Sequence, residues 1–307
     1  MTSGHPNGYL DLNTYLRRIF GERVQKIALD AGMTCPNRDG TISYGGCTYC
    51  DRLGSGSGAM IDDHLSIPAQ IERGMLSLQR RYKARKFIAY FQSFSNTYAP
   101  TADLKRVYDQ ALGYTEIVGL AIGTRPDCVD HRVLGLLSRY RSEYLVWIEM
   151  GLQSCHDRTL ARINRGHNAA AFGRAVEAAH GYGLDVCAHV ILGLPGETAD
   201  MMRQTARFIS ALPITGVKIH LLYVVEGTRL ADLYTQGGFR CLERPEYVDL
   251  VVDFLERIPP TMVVHRLTGD PKGAKLVTPL WAREKSKNLR LIRERLEERG
   301  TWQGKRV

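Results

Sequence analysis

No stretch of the 307-residue chain approaches the ~20 consecutive apolar residues that a membrane-spanning helix requires. The first twenty residues also lack a basic segment followed by an apolar core, so no secretory signal is read there. Cysteine is present without a ladder of paired spacings, and its odd total of seven argues against a secreted disulfide scaffold. These absences predict a soluble cytoplasmic protein, unattached to a membrane, whose thiols stay reduced. No low-complexity linker divides the chain. Its 44% hydrophobic residues suffice for one large α/β barrel or for two smaller domains.

Acidic residues run short in one region only. Between Lys272 and Val307 eleven Lys or Arg face four Glu, a net +7, whereas the rest of the chain carries 30 basic and 28 acidic groups. The overall +9 is therefore concentrated at the C-terminus. A polyanionic partner suits such a segment. The competing reading is a solvated helix over Asn288 to Gly300, with Leu289, Ile292 and Leu296 docked on the body.

Three cysteines lie within sixteen residues, in Cys35-Pro36-Asn37-Arg38-Asp39-Gly40 and Gly45-Gly46-Cys47-Thr48-Tyr49-Cys50. A [4Fe–4S] cluster normally takes four thiolates, so a compact set of three suggests a cube with one iron open to another ligand. Zinc is the rival occupant, because His64 lies fourteen residues after Cys50 and would complete a closed structural site. The protein would then be an interaction module.

Along the chain, strand, loop and helix repeat. Candidate strands are Val24 to Leu29, Lys86 to Phe91, Glu116 to Ile122, Tyr144 to Met150, Val186 to Leu192 and Val217 to Leu222. Helical periods fill Ile67 to Tyr82, Thr101 to Gly113, Asp130 to Tyr140, Asn168 to Gly181 and Ala199 to Leu212. Strands alternating with helices predict parallel pairing, here an α/β partial barrel with a helical C-terminal extension. The expected divisions are an N-terminal extension at 1–23, a core at 24–225 and a C-terminal extension with the basic helix at 226–307.

In such a barrel, functional groups gather where strands end. The segments after the six candidate strands are the cysteine loop, Gln92 to Asn96, Gly123 to Cys128, Gly151 to Ser154, Gly193 to Thr198 and Tyr223 to Thr228. Alternation also places Trp147, Glu149 and Gly151 on one face, as it does Cys187, His189 and Ile191, and Lys218, His220 and Leu222. A charged side chain pointing into a barrel is costly unless paired, so Glu149, His189 and Lys218 are candidates for a buried polar network. For either histidine alone, a satisfied core residue is the competing reading. Cys128 and Cys155 fall on rim loops, where one of them would serve as a hydrogen-atom donor or covalent partner, against the competing reading of small buried hydrophobes; Cys187 and Cys241 read as structural.

In order, CPNRDG…GGCTYC, GTRPD, EMGLQS, INRGH and ILGLPGET make the chain resemble a radical S-adenosylmethionine (SAM) protein of the YhcC type, related to the catalytic subunit of elongator. The resemblance spans roughly residues 20 to 270. Its spacing C-x11-C-x2-C departs from the commoner C-x3-C-x2-C but matches this subgroup. The resemblance implies a (β/α)6 partial barrel of the TIM-like, radical SAM type. It also implies that Cys35, Cys47 and Cys50 hold a [4Fe–4S] cluster whose open iron chelates SAM, and that reduction yields a 5′-deoxyadenosyl radical. A flavodoxin- or ferredoxin-like protein would deliver the electron. By the same resemblance Tyr49 places its backbone near the adenine, Gln153 approaches SAM, Arg165 pairs with its carboxylate, and Gly193, Pro195 and Gly196 line the adenine. Gln92 and Arg125, on the second and third rim loops, join the cofactor set, with Glu149 and His189 as catalytic candidates. The competing readings are a turn glutamine for Gln153, a helix-surface arginine for Arg165 and an ordinary turn for Pro195-Gly196.

Kinship with elongator suggests tRNA modification, particularly at the 5-substituent of the wobble uridine. Lys272, Lys275, Lys285, Lys287, Arg290, Arg293 and Arg295 would then neutralise phosphates. No RNA-reading module and no acetyltransferase-like domain is recognisable in the sequence. The alternatives are radical modification of a small metabolite or a protein side chain, and a non-catalytic sensor or scaffold.

Overall fold

The Asp11 carboxylate accepts the Thr14 N–H and starts helix α1 (Leu12–Phe20), which ends at Gly21 in the left-handed region, φ 73°. Strand and helix then alternate as β1 (Val24–Leu29), α2 (Ile67–Tyr82), β2 (Lys86–Phe91), α3 (Thr101–Leu112), β3 (Ile117–Thr124), α4 (His131–Tyr140) and β4 (Leu145–Gln153). Next come α5 (Asp157–Arg162), α6 (Ala169–Gly181), β5 (Asp185–Leu192), α7 (Ala199–Ser210), β6 (Gly216–Leu221), β7 (Val224–Val225), α8 (Arg229–Thr235) and α9 (Arg244–Leu255). The chain closes with β8 (Val263–Arg266), β9 (Leu276–Thr278) and α10 (Lys285–Glu298). The structure, a computed structural model, describes residues 5–54, 65–269, 271 and 275–307. His64 and Lys272 lie outside the described residues.

Seven parallel strands pair in the order β1-β2-β3-β4-β5-β6-β8, and β7 with β9 forms a separate antiparallel pair. Helices cross over between successive strands, giving the partial TIM-like barrel that the alternating periods predict. Val24 to Leu29, Lys86 to Phe91 and Ile67 to Tyr82 are observed residue for residue. Two strands run further than their apolar runs, β3 to Thr124 and β4 beyond Met150. β4 continues to Gln153, so Gly151 and Leu152 belong to the sheet, with a register irregularity against β5 at Gly151/Gln153. The seventh strand, β8, adds to the six strand–helix units read from sequence. Its four residues, Val-Val-His-Arg, are too few to show a period.

The barrel interior is layered. At its base Val24, Ile88, Trp147, Cys187 and Val263 pack with Leu10 and Leu16 from the N-terminal segment, which plugs that end. The plug is held by hydrogen bonds: the Val264 N–H donates to the Leu10 carbonyl at 2.8 Å, and the Leu10 N–H donates to Gln303 Oε1 at 2.8 Å. Two residues along, the inward positions are polar or charged: Lys26, Tyr90, Glu149, His189, Lys218 and His265. Above them open the rim loops. Outside, α10 docks through buried Asn288, Ile292 and Leu296, with Leu289 partly buried against the core. Burial of each aliphatic side chain contributes about 1.5–3 kcal/mol.

Candidate active site

The cysteine loop is shaped by its own backbone. Pro36 O accepts the Ile42 N–H at 2.8 Å, Asn37 O accepts the Gly46 N–H at 2.8 Å, and Cys47 O accepts the Cys50 N–H at 3.0 Å. Gly45 and Gly46 both lie in the left-handed region, at φ 75° and 76°. A Cβ on Gly46 would stand 2.8 Å from Arg38 Nε, so glycine is required there for conformation and for space.

The segment after α5 clasps this loop. Asn37 Nδ2 donates to Asn164 O at 2.6 Å, Asn164 Nδ2 donates to Gly46 O at 2.8 Å, and the Thr48 N–H donates to Ile163 O at 3.0 Å. Gly166, at φ 80°, lets the two loops touch: a Cβ there would be 2.6 Å from Asn37 Oδ1. Between Asn164 and Gly166, Arg165 is buried, which removes the competing reading of a solvated helix-surface arginine. Its Nη2 donates to Gly151 O at 2.7 Å and its Nη1 to Cys47 Sγ at 3.5 Å.

Electrostatics favour a thiolate at Cys47. Burial alone raises its pKa, but the charge and hydrogen bond of Arg165, with Arg125 and a hydrogen bond from Tyr49, outweigh burial and lower it. The same surroundings push His167 down to about 3, first by burial and then through Arg165 and Arg125, so it is neutral. Arg125, 2% exposed, forms a fork with Asp127 through Nε to Oδ1 at 2.8 Å and Nη2 to Oδ2 at 2.7 Å. Buried Arg165 Nε and Arg125 Nη1 have no hydrogen-bond partner among the described residues.

All three cysteines line one cavity of about 200 Å³, together with Tyr49, Gln92, Arg125, Glu149, Gln153, Arg165 and His189. Gln153 is held at φ 74°, a conformation costly for a side chain bearing a Cβ, and it closes β4 at the cavity wall. Gly193, Pro195 and Gly196 are not brought into that lining. The Gly193 N–H donates to Met202 Sδ at 3.2 Å, and a Cβ there would press on Leu242 at 3.0 Å. Gly196 makes room for Arg162, whose Nη1 donates to Pro195 O at 3.3 Å. Cys128 and Cys155 also fall outside the lining, and burial raises both thiols, Cys128 to about 12.

Beneath the cysteines, Glu149 is fully buried and surrounded by donors. Lys26 Nζ meets Oε1 and Lys218 Nζ meets Oε2, His189 Nε2 lies 2.7 Å from Oε2, and His265 Nδ1 lies 3.6 Å from Oε1. Burial works to raise this carboxyl, but Lys218 and Lys26, with a hydrogen bond from His189 and with His265 beside it, hold it well below the usual range. Burial pushes His189 down to about 4, so it donates to Glu149 as a neutral ring. His265 stacks on Trp147, centroids 3.7 Å apart, over Gly216, where a Cβ would come within 2.9 Å of the ring nitrogen.

Glu149, His189 and Lys218 were legible from strand alternation. Lys26, Tyr90, His265 and Arg266 were not singled out, although a lysine at mid-strand in Val-Gln-Lys-Ile-Ala-Leu carried the signal for Lys26. Among the described residues no three His, Cys, Asp or Glu side chains are close enough to share one metal ion. A cluster asks less convergence, since each thiolate binds a different iron. The donor set of three cysteines, the lowered Cys47 thiol and one unpartnered nitrogen on each of two buried guanidinium groups fit a thiolate-ligated cluster with an anionic ligand beside it.

The family described as the Radical SAM superfamily matches residues 34–209, and the Radical_SAM C-terminal domain matches residues 214–298. The chain is 42% identical to YtqA of Bacillus subtilis over 299 residues, covering 97% of this chain and 92% of that protein. It is 37% identical to YhcC of Escherichia coli over 286 residues, covering 93% and 91% respectively. Among solved structures, the archaeal Elp3 of Methanocaldococcus infernus superimposes with a TM-score of 0.71 at 18% identity, covering 91% of this chain. The chain spans 64% of that Elp3 chain, less than two thirds, and the likeness is one of fold.

Proposed function

The chain belongs to the radical SAM superfamily and is a radical SAM enzyme, and from that premise we propose that Cys35, Cys47 and Cys50 hold a [4Fe–4S] cluster with SAM on its open iron, and that the substrate is tRNA, modified at the wobble uridine. The observation that carries the cofactor assignment is the wall of three cysteines with buried Arg165 beside Cys47. When bound and reduced, the cluster and SAM supply a 5′-deoxyadenosyl radical able to abstract hydrogen.

This chain's residues prepare the space for that chemistry. Arg165 Nε and Arg125 Nη1 are oriented donors suited to the SAM carboxylate. Tyr49, Gln92 and Gln153 complete the cavity wall and would face the nucleoside of bound SAM. Glu149 has its oxygens occupied by Lys26, Lys218 and His189, so it acts as a fixed charge that positions those groups. The barrel and its N-terminal plug exclude water from beneath.

Kinship with the elongator catalytic subunit supports tRNA, as does the basic C-terminal segment with exposed Lys287, Arg290 and Arg293. A flavodoxin- or ferredoxin-like protein is the proposed electron donor. Purified and reconstituted anaerobically, the protein should be brown, with broad absorbance near ~400 nm, and should release 5′-deoxyadenosine on reduction with dithionite. Replacing each of the three cysteines by alanine should abolish both. A colourless protein retaining stoichiometric zinc would refute the cofactor assignment. Mass spectrometry of tRNA nucleosides from a strain lacking the gene tests the substrate: an unchanged wobble uridine would redirect the search to small metabolites or proteins.

A further inference from the structure

The bulge in β8 arms the same cavity with a second set of donors. Against β6, Val264 pairs with Val217 and Arg266 pairs with Lys218, leaving His265 as the extra residue. In a regular strand, neighbours such as His265 and Arg266 would point to opposite faces. The bulge turns both inward. His265 goes to the Glu149 cluster, while Arg266 lines the cavity beside Lys218, His220 and Tyr223.

The charges there do not balance. Lys26 and Lys218 share one carboxylate, Glu149, whose oxygens also serve His189, and Arg266 adds a third cation beside Lys218 in the same cavity. Half-buried Arg266 makes no hydrogen bond or ion pair with the described residues. Of the three N–H donors of Lys218, one meets Glu149 and one meets Tyr90 Oη at 3.0 Å, which leaves a third. Burial lowers Lys218 to about 8; Glu149 opposes the shift, and Lys26 and Arg266 add to it. Burial, then Arg266, keeps His220 neutral and available as an N–H donor. A partly desolvated excess of positive charge is unfavourable until an anion completes it. The guanidinium fork of Arg266 matches a two-oxygen anion. SAM has its own proposed arginines, Arg125 and Arg165, beside the cysteine loop.

We propose that Arg266, Lys218 and His220 bind an oxyanion of the substrate, a carboxylate or a phosphate, and thereby fix which of its carbons meets the cofactor. The statement about the cofactor rests on the radical SAM reading; the anion site stands without it. The test is calorimetric titration of cluster-reconstituted, SAM-saturated protein with inorganic phosphate and, separately, with acetate. Wild type should bind at least one of them saturably, the tighter of the two identifying the group. Arg266→Gln should weaken that binding at least tenfold and Arg266→Lys less. Arg106→Gln, on the exposed face of α3, should leave it unchanged. Near-ultraviolet circular dichroism checks that each variant is folded, and Lys218→Met gives a second loss if Arg266→Gln is not. No saturable binding of either anion by wild type, or equal binding by Arg266→Gln, overturns the proposal. Release of 5′-deoxyadenosine by wild type is measured separately, so its failure would count against the radical SAM reading and not against the anion site.

Discussion

Glu149 has no exposed side-chain surface, and its partners Lys26 and Lys218 are 16% and 7% exposed. Removing the carboxylate charge strands two cations in a low-dielectric barrel, a change that costs about 3–5 kcal/mol when a buried pair loses one partner. Glu149→Gln should lower stability by that much in anaerobic denaturant titration, and adding Lys218→Met should restore part of it; full stability in the single variant would contradict the network. His189 predicts a pH effect. Burial shifts it from its ordinary 6.5 to about 4, so between those values the unfolded chain holds a proton that the folded chain does not. Stability is therefore fully present above pH 6.5 and falls as pH drops towards 4, with a slope of up to about 1.4 kcal/mol per unit from this group. His189→Gln should flatten that part of the curve. An identical slope in wild type and variant would mean that His189 is protonated in the folded protein.

At the scale of elements, the parts legible in sequence were those with a local signature. β1, β2 and α2 were readable because their apolar periods are long and bounded by polar turns. Cys35, Cys47, Cys50 and Arg165, which the fold brings to one cavity, stand out in the sequence because each sits in a short local motif. Less accessible was whatever depends on register. The inward turn of Arg266 comes from a bulge that exists only once β8 lies against β6, and the packing of Leu242 and Arg162 against Gly193 and Gly196 is set by contacts distant in sequence. The Asn164-Arg165-Gly166 segment shows both sides. Its arginine was singled out, but the clasp that Asn164 and Gly166 place on the cysteine loop needed the tertiary fold. Gly166→Ala should break that clasp, since φ 80° and a 2.6 Å approach to Asn37 Oδ1 both exclude a side chain. A loss of about 1–3 kcal/mol is expected, with several-fold faster bleaching of the ~400 nm absorbance in air. Unchanged bleaching would show that the cysteine loop holds its shape alone.

Across the whole molecule, the basic excess is less available than its sequence suggests. Arg295 and Arg299 of the C-terminal segment both reach Asp249 on α9, Arg299 also meets Asp253 at 2.8 Å, and Arg290 pairs with Glu294 at 2.7 Å on α10 itself. Such pairs on the surface contribute little stability, but they set the charge that a polyanion would meet. If tRNA lies along α10, freeing Arg295 and Arg299 from Asp249, with Arg295 still on Glu298 and Arg299 on Asp253, should strengthen its binding. Asp249→Asn removes their shared carboxylate at the edge of the core without touching the cavity. The expected outcome is a several-fold gain in tRNA affinity at low salt, and a slope of log K against log salt steeper by roughly 1, as one further phosphate contact would give. Replacing exposed Lys287, Arg290 and Arg293 by glutamine should act in the opposite direction on both measures. Affinity and salt slope that respond to neither change would place tRNA elsewhere on the surface and leave α10 as a strut, docked by Ile292 and Leu296, with its charges simply solvated.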